Sequence, residues 1–271
     1  MKQPRKPPAS GYRGSLIKTS AVSFGYSNLA RVVDRVSLSL EQPCLAALIG
    51  ANGSGKTTLI RLLAGLIKPS EGTVYLQEEC LAKIPREQVA QRIAYVPQTN
   101  VMIFPFSGLE VVLTGRTPYT SRFQFENRLD REKALAALEM VGAEHLASRP
   151  VTQLSGGERQ LIALARALAQ EPDCLMLDEP SASLDLKHRA GLIRTLRDLR
   201  DQRGLSAIVV THDLQLLDPV FDRVFALQRG ELVANGNPGD VLREDVLSRI
   251  YDDPFIRAWQ FNERTFIWSE T

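Results

Sequence analysis

The sequence is short of the residues that build metal centres and disulfide frameworks, with 3 cysteines and 3 histidines among 271 residues. Cys44, Cys80 and Cys174 are far apart, odd in number and without metal-ligand spacing, which excludes a cysteine scaffold. They read as structural thiols of a reducing compartment. Charge of one sign is also lacking: 33 Lys and Arg face 31 Asp and Glu, and a net charge of +2 excludes nucleic-acid binding by bulk electrostatics. No run of about 18 apolar residues occurs, and the most apolar stretch, "LIALARALA", is short and carries Arg166, so no span of a membrane is expected. The start, "MKQPRKPPAS", is basic and proline-rich, but no apolar segment follows it as in a secretory leader. Residues 1–15 therefore read as a disordered tail, and no internal repeat follows. What remains is 44% hydrophobic content, enough for one large core or for a core with an inserted subdomain.

The pattern along the chain changes twice. Residues 20–40, "SAVSFGYSNLARVVDRVSLSL", alternate as strands do around a turn at "YSNLA", which predicts an antiparallel edge ahead of the main sheet. "CLAALIG" and "KTTLIRLLAGL" read as strand, loop and helix, and "GTVYL" and "RIAYVPQ" as further strands. Residues 99–170 are mostly helical in pattern, through "LEVVLTG", "REKALAALEMVG" and "SGGERQLIALARALA". Strands return as "CLMLDEP" and "SAIVVTH" on either side of the charged helix "HRAGLIRTLRDLRDQRG", followed by the hairpin "RVFALQRGELVANG" turning at Arg229 and Gly230. The tail predicts one helix, "GDVLREDVLSRIY", and then a hairpin around "FNER". This alternation implies an α/β core with a helical insert.

"GANGSGKTT" fits G-x-x-x-x-G-K-[ST], with Gly50, Ala51, Asn52, Gly53, Ser54, Gly55, Lys56, Thr57 and Thr58 between a predicted strand and a predicted helix. Backbone N–H groups of such a loop curl around a β-phosphate while the helix directs its positive end at the anion. Lys56 would neutralise β- and γ-phosphate oxygens, the Thr57 hydroxyl could ligate Mg²⁺, and Gly53 and Gly55 permit close backbone approach. A plain glycine-rich turn before a helix is the bland alternative.

Asp178 and Glu179 end the apolar strand "CLMLDEP", and ligands of a doubly wound sheet sit beyond such strand ends. Asp178 would hold Mg²⁺ directly or through water, and Glu179 could act as general base on the attacking water. A solvated strand terminus is the alternative. His212 ends "SAIVVTH" and could donate to the γ-phosphate or position water, although a core or capping role suits a lone histidine as well. Gln98 ends "RIAYVPQ", and its amide oxygen could reach Mg²⁺ or the water, with a plain polar strand end as the alternative. Convergence of Lys56, Gln98, Asp178 with Glu179, and His212 on one sheet edge carries more weight than any member.

Taken together, these residues resemble the nucleotide-binding subunit of an ATP-binding cassette transporter over nearly all of 16–252. The matching motifs are Walker A "GANGSGKT", a glutamine loop at Gln98, the signature "LSGGE", Walker B "CLMLDE", a D-loop "SASLD" and a switch histidine at His212. The resemblance implies a P-loop NTPase (RecA-like) core of α/β class with an antiparallel β subdomain and an inserted helical signature subdomain at about 99–170. Residues 253–271 would form a C-terminal extension. It implies ATP and Mg²⁺ as ligands, with Thr57, Gln98 and Asp178 around the metal. Two copies would sandwich two ATP molecules, so that Ser155, Gly156, Gly157 and Glu158 of one serve the γ-phosphate held by the other, with Asp185 near the dimer seam. Tyr26, in "SFGY", matches the family's aromatic that stacks on adenine. The residues of the signature agree: Ser155 and Glu158 fit a capping box, which leaves two glycines in a first helical turn, a bare anion site beyond the chain's own phosphate loop.

A finer resemblance lies in "FPFSGLEVVLTGRTPYTSRF" and "DVLREDVLSRIYDD", which are similar to ATPases of importers for ferric siderophores, haem and cobalamin. In that group Gly115, Arg116, Pro118 and Tyr119 match a "GRxPY" wording, and Phe104, Phe106 and Tyr119 could meet the permease, with helical-subdomain core as the alternative for each. "SASLDLKHR" departs from the wording common in the group. The implied protein is an energy-coupling ATPase at the cytoplasmic face of the plasma membrane. Its partners would be two permease subunits and, indirectly, an extracytoplasmic binding protein, with no nucleic acid. The alternatives are an importer ATPase for a metal ion or oxyanion, or a soluble cassette ATPase acting on nucleic acid or ribosomes. The latter usually carries two cassettes or a long coiled-coil insertion. A P-loop kinase or GTPase would have no use for the signature.

Overall fold

The computed structural model describes residues 14–26, 31–99, 102–119, 127–217, 220–261 and 264–270. The chain begins with β1 (Ser15–Phe24), β2 (Val33–Val36), β3 (Ser39–Glu41), β4 (Leu45–Ile49), α1 (Lys56–Leu63), β5 (Glu71–Leu76), β6 (Glu79–Cys80), α2 (Arg86–Arg92) and β7 (Ile93–Val96). It continues through α3 (Gly108–Leu113), α4 (Arg128–Met140), α5 (Gly156–Ala169), β8 (Cys174–Asp178), α6 (Leu186–Arg203) and β9 (Ser206–Val210). It closes with β10 (Arg223–Gln228), β11 (Glu231–Gly236), α7 (Pro238–Val241), α8 (Glu244–Tyr251), β12 (Ile256–Phe261) and β13 (Arg264–Ser269).

The main sheet has the order β11-β10-β4-β9-β8-β7, parallel except for β11. Parallel strands covered on both faces need apolar residues at every position, which is why β4, β8 and β9 read as unbroken runs. Their side chains divide alternately. Leu45, Ala47, Ile49, Leu175, Leu177, Ala207 and Val209 join one core with α3 to α6. Ala46, Leu48, Cys174, Met176, Ile208 and Val210 join the other, with α1 and β1. Cys44 and Cys174 are buried free thiols. Burial pushes the Cys44 thiol up to about 12 and raises that of Cys174 as well, so both are inert packing groups.

The N-terminal strands do not extend the main sheet. β1 instead pairs with β2, β3 and β5 in a separate antiparallel sheet whose path is β2-β1-β5-β6. The antiparallel strands expected ahead of the main sheet thus form the separate β subdomain that the motifs implied, in which β1 finds its long partner at β5, with Ile17 opposite Leu76 and Ser23 opposite Glu71. The apolar face of this sheet, including Leu16, Ile17, Val22, Val74 and Leu76, closes over α1. The turn expected at "YSNLA" lies, beyond Tyr26, outside the described residues.

The single helix expected over "GDVLREDVLSRIY" is two. Arg243 is extended at φ −82° and ψ 148° as the residue capping α8, which ends α7 after one turn. β12 and β13 pair antiparallel from Ile256 opposite Ser269 to Phe261 opposite Arg264, and residues 262–263 of the expected turn lie outside the described residues.

Candidate functional site

Strand β4 delivers Gly50 at the sheet's edge, and α1 starts six residues later at Lys56. Gly55 caps α1 in the left-handed region at φ 101°, and a Cβ there would lie 2.3 Å from the Val32 carbonyl oxygen. No residue but glycine fits, because side chains rarely adopt that φ and the neighbour is backbone. Gly53 differs: no atom lies within 4 Å of a Cβ built on it, so its glycine answers only to φ 77°. The loop is further tied by Gly230, whose N–H donates to the Ser54 carbonyl at 3.0 Å. Inside the loop the buried Lys56 ammonium donates to the carbonyls of Gly50 and Ala51, both at 2.9 Å. Burial lowers its pKa, opposed by the nearby charges of Glu179 and Asp178.

Asp178 ends β8 directly across from α1. The Thr57 hydroxyl donates to Oδ1 at 3.2 Å and the Tyr95 hydroxyl to Oδ2 at 3.3 Å. Only 1% of Asp178 is exposed, and burial raises its pKa while the Thr57 and Tyr95 bonds pull it back. The next residue, Glu179, sits at φ 49°. For a residue with a side chain that is strained backbone, costing on the order of 1–3 kcal/mol and held only where the surroundings fix it. One such restraint is the Glu179 N–H, which donates to Val210 of β9 at 3.1 Å.

That backbone turns the Glu179 carboxylate toward two other strand ends. His212 Nε2 lies 2.9 Å from Oε1, and Gln98 Nε2 donates to Oε2 at 2.8 Å. An ionised carboxylate can only accept, so the His212 proton sits on Nε2. The structure thus brings Gln98, Glu179 and His212 together, and separately Thr57 with Asp178. Glu179, Ser181, Ala182, Thr211, His212 and Asp213 line an open depression on the surface. Thr57 and Asp178 offer oxygen donors only, which suits a hard divalent cation. Among the described residues no group of three or more His, Cys, Asp or Glu forms a metal cage. A cation here would complete its shell with water or phosphate oxygens.

Tyr26 stands exposed beside the same loop, its hydroxyl 3.3 Å from Thr58 Oγ1 and its ring edge-on to Phe24 at 5.0 Å. Tyr95 and Arg61 were not among the residues read from the sequence. Arg61 lies one helical turn beyond Thr57, on the same side of α1, which was a readable signal. Tyr95 had none, since its partners come from two other elements.

Ser155 caps α5, with its hydroxyl accepting from the Glu158 N–H at 3.2 Å and the Glu158 carboxylate accepting from the Ser155 N–H at 2.7 Å. Those bonds hold Glu158 below the usual carboxylate range. The two glycines that follow are not equivalent. A Cβ on Gly157 would lie 2.9 Å from the Ser183 carbonyl oxygen, so contact within the chain already requires glycine there. A Cβ on Gly156 would meet only the Ser183 side chain at 3.8 Å, an ordinary contact. Packing within the chain therefore gives Gly157 a reason of its own to be glycine, whereas no contact within the chain gives one for Gly156. Asp185 caps α6, accepting from the His188 N–H at 2.8 Å, with the ring Nδ1 at the same distance.

Of the aromatics near the glutamine, Tyr119 is packed inward. It lies under the Arg116 guanidinium at 4.1 Å and donates to the Gln170 carbonyl at 2.9 Å. Arg116 is itself buried against Asp130 at 2.9 Å. Phe104 and Phe106 remain 67% and 54% exposed, with ring centroids 6.0 Å apart.

The family model described as "ABC transporter" matches residues 33–182, more than half of the chain. The chain belongs to the ABC transporter family. This ABC protein is 38% identical over 248 residues to the hemin import ATP-binding protein HmuV of Rhodopseudomonas palustris, covering 87% of this chain and 88% of the relative. It is 33% identical over 237 residues to a siderophore transport system ATP-binding protein, YusV, of Bacillus subtilis, covering 88% and 86%. Among solved structures, an inward-facing metal-chelate type ABC transporter superposes with a TM-score of 0.81 at 28% identity, covering 95% of this chain and 98% of that one. A dimeric ATP-binding cassette in a post-hydrolysis state with ADP and Pi gives 0.73 at 27% identity, covering 82% and 98%. The ABC protein is thus an ATP-binding ATPase of the cassette fold, as its motifs led one to expect. Among its described residues no helix is long and apolar enough to cross a membrane.

Proposed function

We propose that this ABC ATPase powers import of a metal chelate of the haem or ferric-siderophore kind, with cobalamin in the same class. It would work as a pair of copies on two permease subunits at the cytoplasmic face of the plasma membrane. The observation that carries the catalytic part is the Glu179 carboxylate, gripped between His212 and Gln98 beside the phosphate loop. In this reading residues 16–252 are the ATPase unit, about 99–170 its helical insert, and 253–271 an extension.

ATP lies with its phosphates in the loop from Gly50 to Thr58, and Tyr26 offers its exposed ring to adenine. Lys56 exchanges its loop carbonyls for β- and γ-phosphate oxygens. Thr57 and Asp178, together with the Gln98 amide oxygen, are the groups that would hold Mg²⁺, which when bound neutralises phosphate charge. Glu179 accepts the proton of the attacking water as the bond from the γ-phosphorus to ADP breaks and inorganic phosphate leaves. His212 and Gln98 fix the carboxylate for that transfer. Ser155, Gly156, Gly157 and Glu158, at the start of α5, serve the γ-phosphate held by the second copy, with Asp185 near the seam.

The importer part is supported by the hemin and siderophore relatives, and by the exposed Phe104 and Phe106 pair, which gives an apolar contact for a permease. An extracytoplasmic binding protein would deliver the chelate. The test is reconstitution with the cognate permease and binding protein in vesicles. ATP-driven uptake of haem, a ferric siderophore or cobalamin is the expected result. Uptake of a bare metal ion or an oxyanion alone, or ATPase activity indifferent to the permease and stimulated by RNA or ribosomes, would overturn it.

A further inference from the structure

Both carboxylate oxygens of Asp178 are engaged, and one of them is engaged by a side chain outside the motifs. Thr57 takes Oδ1, and the Tyr95 hydroxyl takes Oδ2. Tyr95 belongs to β7, the neighbour of β8, and its other partner comes from a third element: Arg61 Nε of α1 lies 3.4 Å from the phenolic oxygen. Chemistry fixes the direction of this chain. A guanidinium has donors only and an ionised carboxylate acceptors only, so the phenol between them accepts from Arg61 and gives its proton to Asp178. The chain therefore runs from α1, through β7, to the carboxylate at the end of β8.

Asp178 is almost wholly buried, so an oxygen left without a donor carries a desolvation penalty that only a new partner or a rotated carboxylate relieves. We propose that Tyr95 and Arg61 are positioning residues for Asp178, tying back Oδ2 so that Oδ1 faces the Thr57 hydroxyl and the two oxygens can receive Mg²⁺ together. This rests on the reading of Thr57 and Asp178 as the Mg²⁺ pair. Neither positioning residue belongs to the phosphate loop or to the groups proposed to hold Mg²⁺. Their effect passes through the orientation of one carboxylate.

The test is equilibrium binding of ADP to the full chain, first with excess chelator and then along a Mg²⁺ titration. Tyr95→Phe keeps the ring and removes the hydroxyl, and a thermal melt checks that it folds. Arg61→Met is the second variant. With chelator, both are expected to bind ADP within about twofold of wild type. The Mg²⁺ concentration giving half of the metal-dependent gain should rise about tenfold in Tyr95→Phe, as for loss of a hydrogen bond to a charged group. It should rise several-fold in Arg61→Met. Adding Arg61→Met to Tyr95→Phe should change nothing more, because the guanidinium acts through the phenol. A Mg²⁺ midpoint within twofold of wild type in Tyr95→Phe overturns the proposal. So does weakening that is equal with and without Mg²⁺, which marks a distorted loop, or full additivity of the two variants. Wild-type ADP binding that ignores Mg²⁺ removes the metal reading itself.

Discussion

Replacing the two glycines of the α5 first turn one at a time separates packing from partner chemistry. Alanine in a helix is favoured over glycine by up to about 1 kcal/mol, less in a first turn. At Gly156 nothing opposes that gain, since the added methyl meets Ser183 at 3.8 Å in ordinary contact. The melting temperature of Gly156→Ala should be unchanged or raised by a few degrees, at roughly 2–4 °C per kcal/mol for a chain of this size. At Gly157 the methyl would lie 2.9 Å from a backbone carbonyl oxygen, which cannot swing away as a side chain would. Overpacking of this kind costs about 1–3 kcal/mol, so Gly157→Ala should lose about 1 kcal/mol net. The decisive readout is turnover. If the bare turn at Gly156 serves ATP held by a second copy, Gly156→Ala should lose at least about tenfold in ATPase rate while folding and binding nucleotide normally. Turnover within twofold of wild type, at normal stability, would refute the assignment of that turn to a partner's phosphate.

Ser155→Arg should leave nucleotide affinity of the isolated chain nearly intact and abolish turnover; a large loss of affinity in the isolated chain would assign the site to its own nucleotide. His212→Ala should slow hydrolysis by about 10²-fold or more without weakening ATP binding, because it removes one of the two groups that hold Glu179; unchanged turnover would make His212 a bystander. The capping carboxylate gives a pH test. Glu158 is held below its ordinary 4.5, so its stabilising contribution is fully present above that value and lost as the pH falls through the lower folded one. The gap in melting temperature between wild type and Glu158→Ala should therefore be constant from pH 7 to about 5 and narrow below about 4; a gap that persists undiminished in acid would show that the carboxylate charge is not what stabilises the turn. Phe104→Asp with Phe106→Asp should spare the ATPase of the isolated chain and weaken its co-purification with the permease; retained association would locate the permease contact elsewhere.

The strands that carry the site were legible for a physical reason. β4, β8 and β9 are buried on both faces, so their sequences are apolar throughout, and each ends in a polar residue or glycine that the sheet then places along one edge. The loop from Gly50 to Thr58 was legible because its backbone demands are met by few sequences. Partners distant in sequence were not legible. The pairing of β1 with β5 depends on which strand is left open once α1 is in place, and alternation alone does not name it. Gly156 and Gly157 look alike in sequence, and only the Ser183 carbonyl distinguishes them. The left-handed backbone of Glu179 and the Arg61, Tyr95, Asp178 chain join separate elements, so no local spacing encodes them. The break between α7 and α8 is not encoded in the pattern, because the helical period runs on across Arg243 while its backbone does not.

In the proposed function, the Glu179 carboxylate works in a site that a second copy completes. Sedimentation velocity of Glu179→Gln, with and without Mg²⁺ and ATP, tests it most directly. A 30.1-kDa species is expected without nucleotide, and a species of twice that mass once ATP is bound and not hydrolysed. A variant that binds ATP, fails to hydrolyse it and still sediments at the mass of one chain at every concentration tested would contradict it.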